Sequence, residues 1–232
     1  MKMIQDQTQL KHYLQAHGIE DVFNGPMMNH LSLYTFDEGE LICSQGEAAD
    51  HLYVLVKGKV KIYTTSAEGK TLILSFKTPL EIIGDIEYVR SIPIINTVEA
   101  VSPVTMMGIQ RRWLMKYGQD HAPLLNFLLN IVTHKFYLKS NFLSFNLMYP
   151  VEVRLASYLL SVSFDESNAM FKGKLKTSSL RDAANLIGTS YRHLNRVIQK
   201  MCEEGMVERS RGYLLVKDRQ ALTAVANRNL YE

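Results

Sequence analysis

Residues 179–204 read SLRDAANLIGTSYRHLNRVIQKMCEE, and this stretch decides the architecture. Ser179, with Asp182 three residues on, resembles a capping box with Asp in the place of the usual Glu. Ala183, Ala184 and Ile187 give a first helix its apolar face, and the small Ala184 suits a close helix crossing. Gly188 falls where that helix must end, because left-handed backbone costs glycine least. Ser190 can cap a second helix whose buried face is Leu194, Val197, Ile198 and Met201. Two helices joined by a short glycine-containing turn make a helix-turn-helix. A generic helical hairpin is the alternative, but it leaves the coincident glycine, small residue and exposed arginines without a cause.

The second helix turns Tyr191, Arg192, Asn195, Arg196 and Gln199 away from its buried stripe. Arginine pairs bidentately with guanine, and Asn or Gln with adenine, each good pair discriminating by on the order of 1–3 kcal/mol. Arg192 and Arg196 stand one turn apart near the helix start, the part of a recognition helix that meets base edges. Thr189, Ser190 and the N–H groups of the helix start can hold phosphate. Gly205 follows, then two short strands, Met206–Glu208 and Tyr213–Val216, around Ser210-Arg211-Gly212. This is a wing, and Arg209 or Arg211 can touch the DNA backbone from it.

Charge supports this placement. The chain of 232 residues carries only +3 overall, but Lys174–Arg219 holds ten basic and five acidic residues. The segment is therefore +5 and the remainder −2. Concentrated positive charge is the footprint of a phosphate-binding surface, although a solvated helix face gives the same count.

Upstream the pattern changes. From Leu31 to Gln110, β-rich runs alternate with turns: Leu31–Phe36, Glu40–Ser44, His51–Lys57, Lys59–Thr64, Thr71–Lys77, Asn96–Ala100 and Val104–Gln110. Strands at this spacing predict an antiparallel sandwich or barrel. The continuous apolar run Leu52–Val56 predicts a strand covered on both faces. A helical zone dominates from Ala122. Leu124, Leu128, Ile131, Lys135, Leu138, Phe142 and Phe145 recur at spacings of four and three, a heptad seam broken only by Lys135. The seam predicts a homodimer through this helix. A helix packed on its own domain is the other reading. Pro150 ends or bends the helix, and Leu147–Pro150 is read as a hinge before a further helix at Val151–Ser163. The expected domains are 1–118, a β-roll sensor; 119–149, the dimerisation helix and hinge; and 150–232, the DNA-binding unit.

Other chemistries find little support. Cys43 and Cys202 make neither a disulfide framework nor a ligand pair and read as structural or incidental thiols. His12, His17, His30, His51, His121, His134 and His193 contain no ligand-type spacing, which argues against a metal site and a cupin-type enzyme. Neither a nucleophile-elbow nor a P-loop pattern occurs, so no catalytic residue is expected. No apolar run reaches the roughly 18–20 residues of a membrane span, and Met1–Leu10 is too polar for a signal peptide. The expected location is the cytoplasm.

Over nearly its whole length the chain resembles the Crp/Fnr superfamily of transcription regulators. FDEGELICSQGE (36–47), YVLVKGKVKIY (53–63) and GDIEYV (84–89) match its sensor signature. LIGTSYRHLNRVIQKM (186–201) and GMVERSRGYLLV (205–216) match its DNA-binding signature, and GTSYRHL with GYLLVKDRQAL most resembles the YeiL-type branch. The resemblance implies an α+β fold: an N-terminal double-stranded β-helix of the jelly-roll, cyclic-nucleotide-binding type, a long dimerisation helix and a C-terminal winged helix-turn-helix. It implies a pseudo-palindromic double-stranded DNA operator and RNA polymerase as partners. It places base reading at Tyr191, Arg192 and Arg196. The first two places hold Arg and Glu in well-known members, so the operator is not carried over.

The effector site departs from the family pattern. Nucleotide-binding members clamp cyclic AMP with a Gly-Glu pair and an Arg-Ser pair. Here Gly84-Asp85 partly keeps the first, and Ile94-Ile95 replaces the second. Two isoleucines cannot compensate a phosphate charge, so cyclic AMP is not expected to be the ligand. Two cysteines are too few for the family's iron–sulfur cluster, and no haem ligands stand at recognisable places. No cofactor is expected. An apolar pocket at the junction of roll and helix would be lined by Phe76, Ile83, Ile94, Ile95, Tyr137 and Asn141; filled packing is the alternative. A regulatory cyclic-nucleotide module without DNA binding is the competing non-enzymatic function.

Overall fold

A computed structural model describes the chain except for Lys70, Ser163, 166–169, 172–173, 178–179 and 227–232. Its contacts divide it into two compact units, Met1–Phe136 and Tyr137–Glu232.

The first unit opens with strand β1 (Lys2–Ile4) and the short helices α1 (Gln7–Ala16) and α2 (Gly25–Met28). The roll follows as β2 (Leu31–Phe36), β3 (Leu41–Cys43), β4 (His51–Lys57), β5 (Val60–Thr65), β6 (Thr71–Lys77), β7 (Glu81–Ile83), β8 (Thr97–Ala100) and β9 (Val104–Gln110). Helix α3 (Asp85–Arg90) lies between β7 and β8, and α4 (Arg111–Tyr117) follows β9. Two antiparallel sheets result, in the orders β1-β2-β9-β4-β7 and β3-β8-β5-β6. All seven strands read from the sequence are present. β1 and β7 are additions, each three residues long and too short to show alternation.

The two-sided burial expected of Leu52–Val56 is met, and β4 is an inner strand between β9 and β7. Tyr53 and Leu55 enter one core with Phe36, Val60, Val98 and Met106. Leu52, Val54 and Val56 enter another with α1, α4 and Leu124 and Leu128. Alternate side chains of a strand take opposite faces, so one apolar run feeds both cores. Gly58 closes the β4–β5 turn at φ 92°, where a Cβ would lie 2.4 Å from the Pro103 carbonyl oxygen.

Helix α5 (Ala122–Met148) begins in the first unit. Its predicted seam faces inward there: Leu124 and Leu128 are fully buried in the roll's own core, and Ile131 packs against it. This corrects their assignment to a dimer interface. Leu138, Phe142 and Phe145 are half-buried. The exposed apolar stripe is shifted by one position, through Leu125, Leu129 and Phe136, with Phe136 73% exposed. Heptad spacing finds an apolar stripe but does not say which of two adjacent stripes faces out.

Lys135, the polar break in the seam, fixes this choice. Its ammonium donates to Glu81 Oε1 at 2.7 Å, Asp85 Oδ2 at 2.9 Å and the Ile82 carbonyl at 2.6 Å. All three of its protons are thereby used. Both carboxylates are buried, and Glu81 has a second cation in Lys77 at 3.3 Å.

In the second unit, α6 (Val151–Val162) begins after the Pro150 break. Strands β10 (Phe164–Asp165) and β11 (Met170–Phe171) pair with each other. β12 (Lys174–Lys176), α7 (Leu180–Leu186), α8 (Tyr191–Glu203), β13 (Val207–Ser210), β14 (Tyr213–Val216) and α9 (Arg219–Val225) follow. The small sheet runs β12-β14-β13, and α6 packs on α9 and α8. No described helix is long and apolar enough to cross a membrane.

Lys135→Met should lower the unfolding free energy of the first unit by about 3–5 kcal/mol, because two buried carboxylates lose their shared cation. Urea denaturation followed through Trp113 fluorescence measures this. A loss below about 1 kcal/mol, the range of exposed pairs, would mean that water replaces the ammonium.

Candidate nucleic-acid interface

Helices α7 and α8 cross on the residues the sequence marks. Ala183 and Ala184 of α7 and Leu194, Val197, Ile198 and Met201 of α8 are all buried. Gly188 adopts φ 65°, and the Thr189 N–H returns to the Ala184 carbonyl at 2.9 Å, closing the helix end. Ser190 is the N-cap of α8, its Oγ accepting the His193 N–H at 3.1 Å. Ser179 lies outside the described residues.

An unpredicted residue holds the turn. Arg154 of α6 is buried, and its guanidinium donates to the Ile187 carbonyl at the end of α7 and, at 3.5 Å, to Asn146 Oδ1. A Cβ on Gly188 would approach this guanidinium to 3.3 Å. The only sequence signal for it is one cation inside the apolar run of VEVRLASYLL.

The outer face of α8 carries Tyr191, Arg192, Arg196 and Gln199, all exposed. Tyr191 lies beneath the Arg181 guanidinium of α7, 5.7 Å from its ring centre. Gln199 donates to Glu203 at 3.2 Å. Asn195 is half-buried and engaged: its Nδ2 donates to the Tyr191 carbonyl at 2.8 Å, and its Oδ1 accepts from Arg209 of β13. Both ends of its amide thus have partners within the protein.

The wing forms as read, with β13 extending two residues further than expected. Arg211 and Gly212 both have positive φ, 35° and 86°, as a two-residue hairpin turn with right-handed twist requires. Thr177 secures the tip, its N–H and Oγ1 donating to the Gly212 carbonyl at 2.9 and 3.0 Å. Arg211 is exposed at that tip.

In the first unit, Gly84 adopts φ 90°, and a Cβ there would lie 2.7 Å from the His51 carbonyl oxygen, so the fold itself requires glycine. Asp85 is committed to Lys135. Ile83 and Ile94 are buried, Ile95 is 36% exposed, and Phe76 is half-buried beneath the Lys59 ammonium. The Ile95 N–H donates to the buried Glu87 carboxylate at 3.0 Å. Tyr137 and Asn141 belong to the second unit. A groove of about 700 Å³ lies between Ala48–His51, Ser91–Pro93 and Gln110–Arg112, and includes none of the expected effector residues. Burial pushes the Cys43 thiol up to about 12, which keeps it protonated and unreactive at neutral pH. Among the described residues no three His, Cys, Asp or Glu side chains gather as a metal site would require.

Comparison with known proteins agrees with this division. Residues 34–121 match the cyclic nucleotide-binding domain, and residues 153–225 match the Crp-like helix-turn-helix domain. The regulatory protein YeiL of Escherichia coli is 24% identical, over 92% of this chain and 94% of its own. A CRP-like cAMP-activated global transcriptional regulator of Mycobacterium tuberculosis is 21% identical, over 88% of this chain and 92% of its own. Among solved structures, a Crp/Fnr-family transcriptional regulator from Thermus thermophilus shares the fold with a TM-score of 0.70, at 19% identity, covering 84% of this chain and 98% of that one. The c-di-GMP-responsive global regulator of Xanthomonas campestris does so with 0.71, at 17% identity, covering 83% and 97%.

Arg154→Ala should cost about 1–3 kcal/mol of stability in the second unit, by leaving the buried Ile187 carbonyl without its donor. It should also weaken DNA binding through the displaced turn. Thermal unfolding and DNA titration of the same preparation test both. Unchanged values in the two would show that the turn stands without Arg154.

Proposed function

The chain belongs to the Crp/Fnr superfamily, and on that premise we propose that it is a homodimeric, sequence-specific regulator that acts in the cytoplasm without cyclic AMP. The superfamily is one of transcription regulators and not of enzymes. The observation that carries the reading is the outer face of α8, where Arg192 and Arg196 are exposed one turn apart beside a helix start capped by Ser190.

Each subunit offers α8 to one major groove. Arg196, with Arg192 and Tyr191, reads base edges, while Thr189, Ser190 and Arg211 hold phosphates. Two such helices reach half-sites roughly 34 Å apart on a pseudo-palindromic operator. RNA polymerase is the partner expected of such a regulator at its promoters.

Independence of cyclic AMP rests on two features. The cyclic phosphate finds no cation at Ile94-Ile95, and the Asp85 carboxylate is already taken by Lys135. Burying an unpaired phosphate charge costs several kcal/mol. The dimer is assigned to the exposed stripe Leu125, Leu129 and Phe136 instead of the inward seam. An apolar stripe at this spacing on a long helix is stabilised when a second copy covers it.

Selection of bound sequences from random duplexes, with no cyclic nucleotide present, tests the function. Wild type should enrich a two-fold symmetric site, and added cyclic AMP should leave its affinity unchanged. Arg196→Ala should lose about 1–3 kcal/mol of discrimination at one base pair per half-site. Equal losses on every duplex would reject Arg196 as a base reader, and a cyclic-AMP requirement would reject the effector reading. Separately, Phe136→Glu should convert the dimer to a monomer in light scattering while the circular dichroism spectrum is kept. A variant that stays dimeric would move the interface elsewhere.

A further inference from the structure

The wing strand carries a cation that the helix-turn-helix alone does not account for. Alternation along β13 sends Val207 and Arg209 to one face and Glu208 to the other. Val207 is buried, and Glu208 on the opposite face pairs with Lys217 at 2.9 Å. Arg209 therefore points to the side that packs on α8, yet its guanidinium is exposed and rests on Asn195. Asn195 is itself fixed, because its Nδ2 is held by the Tyr191 carbonyl, which leaves Oδ1 aimed at Arg209. Among the described residues only one nitrogen of the guanidinium is occupied and no carboxylate neutralises it. Asn195 follows Arg192 by three residues and precedes Arg196 by one, so Arg209 is docked at the edge of the base-reading face.

We propose that Arg209 is a phosphate clamp of the DNA interface, and that Asn195 is its positioning residue. This rests on the DNA-binding reading above and adds a division of labour to it. A neutral amide costs little to hold beside a cation and leaves the full charge for the ligand. A planar guanidinium with several free N–H groups matches the oxygens of a phosphate. The wing strand and α8 then grip one DNA backbone together, so the orientation of the wing is tied to the depth of α8 in the groove. Asn195 reads no base; its amide is used in aiming Arg209.

The test measures affinity against salt for the full-length protein on two probes, a mixed-sequence duplex and a duplex selected by the wild type. Arg209→Ala should flatten the dependence of log K on log salt by about 0.9 per subunit on both probes. Over a fourfold rise in salt this is about a three- to fourfold smaller loss of affinity per subunit. Arg209→Lys, which keeps the charge, should retain the slope. Asn195→Ala should weaken binding in the presence of Arg209 and have no further effect in the Arg209→Ala background, with base preference unchanged throughout. An unchanged slope for Arg209→Ala, or altered base preference in either variant, would overturn the clamp. Equal losses from Asn195→Ala with and without Arg209 would overturn the positioning role. Thermal melting confirms that each variant folds. Wild type that binds neither duplex would overturn the DNA-binding reading itself, a different outcome from wild type that binds while Arg209→Ala behaves like it.

Discussion

Arg154 places a charge where charges are expensive, and the DNA-binding unit is arranged around it. Its guanidinium lies in the core of the second unit, donating to the Ile187 carbonyl. The last carbonyls of any helix lack intrahelical partners, and they carry the negative end of the helix dipole. A cation there answers both needs. Because α7 is only seven residues long, its end is close to everything it does: Gly188 reverses the chain, and Ser190 starts α8 two residues later. The turn angle sets the direction of α8, and the direction of α8 sets where Arg192 and Arg196 point. A residue of α6 that no ligand needs to touch therefore fixes the geometry of the reading face.

Lys135 plays the matching part in the first unit. Helix α5 is apolar on more than one face, so burial alone does not decide its rotation about its own axis. A lysine with three acceptors at 2.6–2.9 Å does decide it. With Lys135 turned toward Glu81 and Asp85, Leu124 and Leu128 fall into the core, and Leu125 and Leu129 are left outside. The apolar contacts supply most of the burial energy, while the ion cluster supplies the specificity of register. Replacing one partner of such a cluster costs more than the cluster contributes, because the other charges stay buried.

The sequence showed most plainly what depends on short-range rules. Ser190 as cap, Gly188 as turn and the buried stripe of α8 are set by neighbours within four residues, and all three stand where the pattern puts them. The β4 run was equally plain, since five consecutive apolar residues have only one arrangement in a sheet that satisfies them all. The seam on α5 was legible as a stripe, but the inward turn of its first members, Leu124 and Leu128, was not, because it depends on Lys135 meeting residues about fifty positions away. Arg154 and the Asn195–Arg209 contact were hidden for the same reason. Each joins elements distant in sequence, and neither arginine's partner follows from any local spacing.

The same accounting bears on what the roll can sense. Its acidic groups near the Gly84-Asp85 segment are used internally: Glu81 and Asp85 by Lys135, and Glu87 by the Ile95 N–H. A ligand with hydroxyl or charged groups that called on these residues would first have to displace a buried ion pair or break the bond between Glu87 and the Ile95 N–H. Its net affinity would start from that deficit, since an exchanged buried bond returns only what the new contacts exceed. The isoleucines at 94 and 95 offer apolar contact and no counter-charge. The carboxylates of this segment are therefore already engaged within the fold.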